Sequence, residues 1–181
     1  MDNGASSYRR YLDGDESAFD DIVKELFDHL VFFINRYVQD VHAAEDIAID
    51  AFTELIVHKN RYNFSVTLKT YLFMIGRSRA LNYIKRRNRI KMEPLSSAGS
   101  MEAGETPEQL LLRTEKQLRL SREMDALPQP MRTALHLVYF EDLSYEEAAR
   151  VMKKTKKQID NLVYRGKKAL RAALGEDGAN L

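Results

Sequence analysis

The chain has 181 residues, 44% apolar and 30% charged, enough apolar content for packed cores in one or two domains. Cysteine is absent, which excludes disulfides and thiolate metal sites. The net charge of +1 conceals a segregation, because residues 1–60 hold thirteen acids against five bases while residues 77–91 hold seven bases and no acid. Charge divided in this way points to a basic partner for the front of the chain and a polyanion for the later segments.

The N-terminal stretch MDNGASSYRRYLDGDESAF lacks the apolar run of a signal peptide. No segment approaches the ~18 apolar residues of a membrane span. A cytoplasmic protein without membrane insertion is the expectation. Helical spacing begins near Ser17 and continues to about Val38, with Phe19, Ile22, Val23, Leu26, Leu30, Phe33, Ile34 and Tyr37 in register. It resumes from about His42 to His58 through Ala44, Ile47, Ala48, Ala51, Phe52, Leu55 and Ile56. This second helix carries Asp46, Asp50 and Glu54 four residues apart, hence on one face, with Glu45 beside them. Like charges at that spacing repel. Two readings stand open, a solvated face and a docking face for a basic partner.

A third pattern runs from about Ser65 to Arg87. It joins Tyr71, Phe73 and Tyr83 to Arg77, Arg79, Lys85, Arg86 and Arg87. Aromatic rings can stack unpaired bases while cations hold the backbone of a single strand. The other reading places the aromatics in the core and leaves a solvated basic tail; at least one ring is expected in the core. Periodicity then fails from Glu93 to Glu105, EPLSSAGSMEAGE, a composition that makes a flexible linker. The expected domains are therefore 1–92 and 106–181, joined by 93–105.

Thr106-Pro107-Glu108-Gln109 has the signature of a helix start, with Thr as N-cap, Pro at the first helical position and Gln at capping-box spacing. That helix reaches about Asp125, Pro128 and Pro130 break it, and another extends to about Phe140. Two further capping boxes follow, Ser144 with Glu147 and Thr155 with Gln158. Only a few residues separate Met152 from Thr155, so the two helices meet steeply as a helix-turn-helix, whose second helix can enter a DNA major groove. Ile159, Leu162, Val163, Ala169 and Leu170 form its apolar face. Lys156, Lys157, Asp160, Asn161, Tyr164, Arg165 and Lys168 mostly occupy the other. Between Arg150 and Arg171 there are nine Lys or Arg and one acid, Asp160. The fold class is all-α, two small helical domains with a helix-turn-helix in the second. The four histidines are scattered without ligand spacing, and no phosphate-loop, nucleophile-elbow or zincin motif proposes an enzyme or a cofactor.

The order of these parts resembles the extracytoplasmic-function class of bacterial RNA polymerase sigma factors, which keep only the domains called two and four. The family's A-E-D-hydrophobic-x-Q-x-x-F is similar to Ala44-Glu45-Asp46-Ile47-Ala48-Ile49-Asp50-Ala51-Phe52. Its W-L-Y-x-I-A-R-N is similar to Tyr71-Leu72-Phe73-Met74-Ile75-Gly76-Arg77-Ser78. L-P-x-x-x-R-x-x-L resembles Leu127 to Leu135, L-S-Y-x-E-x-A resembles Leu143 to Ala149, and R-A-R-x-x-L resembles Arg165 to Leu170. The chain departs from the pattern at Ile49 (usually Gln), Ser78 (often Asn), Asn82 (often Asp), Lys153 (a turn position often Gly) and Asp160 (usually a base).

The resemblance implies a non-catalytic subunit that binds core RNA polymerase and directs it to promoter DNA, with an inhibitory anti-sigma factor as a further partner. Glu45, Asp46, Asp50 and Glu54 would dock on a coiled coil of the polymerase's largest subunit. Tyr71, Arg77, Ser78, Arg79, Asn82, Lys85, Arg86 and Arg87 would hold the single strand of the −10 element. Thr155 would start the helix that reads the −35 duplex. Lys156, Lys157, Asp160 and Asn161 are the expected base readers, since the early turns of a recognition helix reach base edges. Arg165, Lys167 and Lys168 are the expected phosphate contacts. The rival is an ordinary helix-turn-helix regulator whose N-terminal domain senses a ligand or dimerises, and co-purification with core polymerase separates the two.

Overall fold

A computed structural model describes residues 4–91 and 115–175. All regular elements among these residues are helical, and the chain divides into two compact units, Met1–Ala103 and Gly104–Leu181. The expected linker over 93–105 and the capped start at Thr106 lie outside the described residues.

The first unit contains α1 (Ala5–Leu12), α2 (Ser17–Val38), α3 (Val41–Val57), a 3-10 turn (Lys59–Arg61) and α4 (Leu68–Lys91). α2 is its centre and packs against α1, α3 and α4. Ile22, Leu26, Leu30, Phe33, Ile34 and Tyr37 face inward along it, because steps of three and four residues return to one side of a 3.6-residue helix. Val41 to Val57 begins on Asp40, whose carboxylate accepts from the Ala43 N–H at 3.1 Å. At Gly76, α4 lies so close to α2 that a Cβ would stand 2.9 Å from Leu30 Cδ1 and 3.1 Å from Ile34 Cδ1. A side chain there would require the Leu30 and Ile34 side chains to shift.

No apolar period announces α1, because only Tyr8 and Tyr11 of its residues are buried and two points make no period. Tyr8 is fully buried, and its hydroxyl donates to the carbonyls of Leu55 at 3.0 Å and Lys59 at 3.1 Å. Leu55 belongs to the last turn of α3, where carbonyls have no intrahelical donor. The phenol therefore clasps α1 to the end of α3 and to the turn that follows. Burial, then the neighbouring Tyr11, Tyr71 and Tyr62, push this phenol up to about 12.

The second unit contains α5 (Glu115–Ala126), α6 (Gln129–Tyr139), α7 (Tyr145–Met152) and α8 (Lys156–Leu174). α8 packs against the other three. Pro128 precedes α6 and Pro130 sits in its first turn, where a missing N–H costs nothing, so the prolines separate α5 from α6 as expected. His136, read as one of four scattered histidines, is instead fully buried in α6; its Nε2 lies 3.1 Å from Oε1 of the equally buried Glu141. Sequence spacing gave no sign of this pair because its two residues straddle a helix end.

Candidate functional site

In the first unit, α3 turns Ala44, Ile47, Ala48, Ala51, Phe52 and Leu55 into the core. The outward strip then carries Asp46, Ile49, Asp50 and Thr53, all exposed, with Glu45 half-buried. Glu45 lies 3.6 Å from His42 one turn earlier. The acids do not form a uniform row. Asp50 is 63% exposed, whereas Glu54 is 17% exposed and held at both oxygens. Arg79 of α4 donates through Nη2 to Glu54 at 2.9 Å and through Nη1 to Asp50 at 3.2 Å. Arg61, from the 3-10 turn, donates to the other Glu54 oxygen at 2.6 Å. Burial pushes the Glu54 carboxyl up, but the hydrogen bonds and charges of Arg79 and Arg61 outweigh it and hold it below the usual range. The structure thus joins Glu54 and Arg79, which the sequence reading had given to two different partners. The same helix exposes Ile49, Ile56 and Val57, so this face is apolar as well as acidic.

α4 sorts its aromatics and cations. Phe73 is fully buried, with its ring centroid 4.8 Å from Phe33, and is the core aromatic that was expected. Tyr71 is half-buried, 5.1 Å from Tyr62 in the preceding loop. Burial, then the nearby Glu54 charge, raise its phenol pKa against the opposing effect of Arg61. Arg87 donates to the Val38 carbonyl at 2.9 Å, at the open C-terminus of α2, and its guanidinium lies 5.8 Å from the Tyr83 ring. Arg77 is half-buried. What remains on the solvent side is a strip of Ser78, Asn82, Lys85, Arg86 and Arg89. Arg89 joins the strip because steps of three and four residues from Asn82 and Lys85 reach it.

In the second unit both capping boxes form. The Ser144 hydroxyl accepts from the Glu147 N–H at 3.2 Å, and Glu147 accepts from the Ser144 N–H at 2.9 Å. Thr155 and Gln158 repeat the exchange at 3.2 and 2.9 Å. Between them α7 ends in a left-handed residue, Lys153, at φ 53° and ψ 50°. The N–H groups of Lys153 and Lys154 return to the carbonyls of Arg150 and Ala149, at 3.3 and 2.9 Å. This is a Schellman closure, in which glycine is the usual occupant.

The inward face of α8 is Ile159, Val163, Gly166, Leu170 and Leu174. Ala169, expected on that face, is exposed, and Gly166 takes the inward place. A Cβ at Gly166 would lie 2.8 Å from Leu135 Cδ1, so α8 and α6 touch nearly backbone to side chain there. The outward face presents Lys157, Asp160, Asn161, Arg165 and Lys168, with Tyr164 among them at 66% exposure. Two expected contacts are engaged within the unit. Lys156 pairs with Glu146 of α7, and Lys167 sits 5.1 Å from the Tyr139 ring centroid with its Nζ 3.4 Å from the Tyr139 hydroxyl. The Glu146 pairing raises the Lys156 pKa and lowers that of Glu146. Thr155 is occupied as the N-cap.

Among the described residues no helix is long and apolar enough to cross a membrane, and no cluster of His, Asp or Glu could hold a metal ion.

Each unit matches a known family region. Residues 22–90 match the family description Sigma-70 region 2, and residues 117–170 match Sigma-70, region 4. The RNA polymerase sigma-H factor of Pseudomonas aeruginosa is 29% identical over 170 residues, covering 89% of this chain and 88% of that protein. The ECF RNA polymerase sigma factor SigW of Bacillus subtilis is 26% identical over 170 residues, covering 89% and 91%. Among solved structures, the sigma factor RpoE of Bartonella quintana, in complex with the anti-sigma factor NepR, is similar with a TM-score of 0.68 at 19% identity, covering 88% of this chain and 98% of that one. CnrH in complex with the cytosolic domain of CnrY gives 0.64 at 17% identity, covering 95% and 94%.

Proposed function

The chain belongs to the extracytoplasmic-function class of RNA polymerase sigma factors, and we infer from the three surfaces on α3, α4 and α8 how it directs core polymerase to promoters. The exposed face of α3, with Asp46, Asp50 and the neighbouring Ile49, docks on the polymerase. The solvent strip of α4, with Ser78, Asn82, Lys85 and Arg86, takes the unpaired −10 strand, and Tyr71 and Arg77 flank it. α8 enters the major groove of the −35 element. Lys157, Asp160 and Asn161 meet base edges there, and an acid at position 160 accepts from a cytosine amino group. Arg165 and Lys168 hold phosphates; Lys156, expected as a base reader but paired with Glu146 at the first turn of α8, joins them with Lys167 once the two are released from Glu146 and Tyr139.

The observation that carries this reading is the outward face of α8, which starts on a complete capping box and is covered by no other element among the described residues of its unit. The chain performs no chemistry of its own on this reading and works in the cytoplasm. The similar RpoE structure holds an anti-sigma factor, which makes an inhibitor of that kind a partner to seek here. A helix-turn-helix regulator would leave the match over residues 22–90 without a purpose.

Run-off transcription with core polymerase on a promoter library is the test. The wild-type chain yields defined transcripts. Asp46→Lys loses core binding in a pull-down while far-UV circular dichroism stays unchanged. Unaltered affinity of that variant removes α3 as the docking face.

A further inference from the structure

Arg79 stands between the two faces of the first unit. It leaves α4 on the side of α3 and spans two carboxylates one turn apart, Asp50 at 3.2 Å and Glu54 at 2.9 Å. With Arg61 on Glu54, the network holds two acids and two cations. It therefore offers no net charge to a polyanion, while Lys85, Arg86 and Arg89 farther along α4 face solvent. The two halves of Arg79's hold differ. Glu54 is 17% exposed and is closed off by Arg61; Asp50 is 63% exposed and open to an incoming group.

We propose that Arg79 couples polymerase docking to capture of the unpaired strand. In the free chain Asp50 and Glu54 hold its guanidinium. A cationic docking surface that pairs with Asp50 leaves the network one positive charge in excess and frees the Nη1 edge of that guanidinium, still held by Glu54 through Nη2, to reach a strand phosphate. The proposal rests on the assignment of α3 to docking and α4 to the strand. An exposed ion pair is weak, so one cation replaces another on Asp50 at little cost. Binding linkage is reciprocal: an occupied strand site strengthens docking by the same factor by which docking strengthens strand binding.

The experiment uses the full chain, free of polymerase, and a fluorescein-labelled random single-stranded oligonucleotide of about 12 nucleotides. Asp50→Asn, Arg79→Gln, the double variant and Lys85→Gln/Arg86→Gln are titrated against it, with circular dichroism confirming the fold of each. Asp50→Asn should bind the oligonucleotide about fivefold more tightly, and the gain should vanish in the double variant. Arg79→Gln alone should scarcely change the free chain's affinity, yet should weaken strand capture once core polymerase is bound. The coupling is overturned if the Asp50→Asn gain persists without Arg79, because simple removal of a repelling charge then explains it. It is also overturned if Arg79→Gln weakens binding equally in both backgrounds, because the guanidinium is then already available. If Lys85→Gln/Arg86→Gln leaves binding unchanged, α4 is not the strand face and the proposal falls with that assignment. If that variant weakens binding while the Arg79 cycle shows no coupling, the assignment stands and only the coupling fails. Should Asp50→Asn misfold, Glu54→Gln loosens the other half of the hold and gives the same contrasts when Arg61→Gln is added to every arm, because Glu54 also holds Arg61.

Discussion

The turn between α7 and α8 fixes the presentation of the recognition helix, and Lys153 holds it at φ 53°. A residue with a Cβ gives up roughly 1–2 kcal/mol in the left-handed region. Glycine removes that strain but adds about 0.5–1 kcal/mol of chain entropy to the unfolded state. The two Schellman bonds, from Lys154 N to Ala149 O and Lys153 N to Arg150 O, use backbone atoms alone and survive the change. Lys153→Gly should therefore stabilise the second unit by about 0.5–1 kcal/mol, since the strain exceeds the entropy. At about 4–8 °C per kcal/mol for a domain of this size, the unit's transition rises by about 2–8 °C in calorimetry of the full chain. Lys154, Lys156 and Lys157 are neighbours in sequence, so loss of a repelling charge offers a competing explanation. Lys153→Ala separates the two, because it deletes the charge and keeps the Cβ. If Lys153→Ala gains as much as Lys153→Gly, or if glycine gains nothing, backbone strain is not what the turn stores.

Tyr8→Phe removes the donor to the Leu55 and Lys59 carbonyls and should cost about 1–2 kcal/mol in urea unfolding followed by helical signal. Glu54 has a lowered folded pKa, so its stabilising contribution is present above its usual value of 4.5 and is lost as pH falls through the lowered one. The stability gap between the wild type and Glu54→Gln should therefore close in acid, and parallel acid-unfolding curves would remove the Arg61–Glu54–Arg79 network as its source. On duplex −35 DNA, Glu146→Gln should free Lys156 and steepen the dependence of log affinity on log salt by up to about 0.9, the contribution of one phosphate contact. An unchanged slope in filter-binding titrations would mean that Lys156 never reaches a phosphate.

The elements visible in the sequence are those whose signal is local. The capping boxes at Ser144 and Thr155 involve residues three apart, and both form with the bonds their spacing dictates. α2 occupies Ser17–Val38, the span of its apolar period, because a helix packed on one side by three others must repeat every three to four residues. α1 had no such signal, since its anchoring runs through two tyrosines and a hydroxyl bond to residues 47 and 51 positions away. Misplacing Ala169 and overlooking Gly166 has the same origin. The inward path along α8 advances from Val163 to Gly166 to Leu170, and a glycine registers as apolar only through the closeness of Leu135.

Charge was the least legible property, because spacing along one helix says nothing about what the next helix places opposite. The stripe of α3 and the cations of α4 read as separate surfaces in the sequence, yet Asp50 and Glu54 are partly satisfied by Arg79 and Arg61. In the second unit Glu146 does the same to Lys156. On the proposed assignment of α3 to a cationic surface and α4 to a polyanion, neighbouring helices carry both signs within reach of each other, and they pair in the free chain. Each binding event is then an exchange of ion pairs rather than a simple addition. The free energy available from a cation is the difference between its phosphate contact and the internal contact it gives up. On the proposed assignments, residues such as Lys85, Arg86, Lys157 and Lys168, exposed on their strips, should bring more of their charge to nucleic acid than Arg79, Arg87 or Lys156, although all belong to the same basic runs.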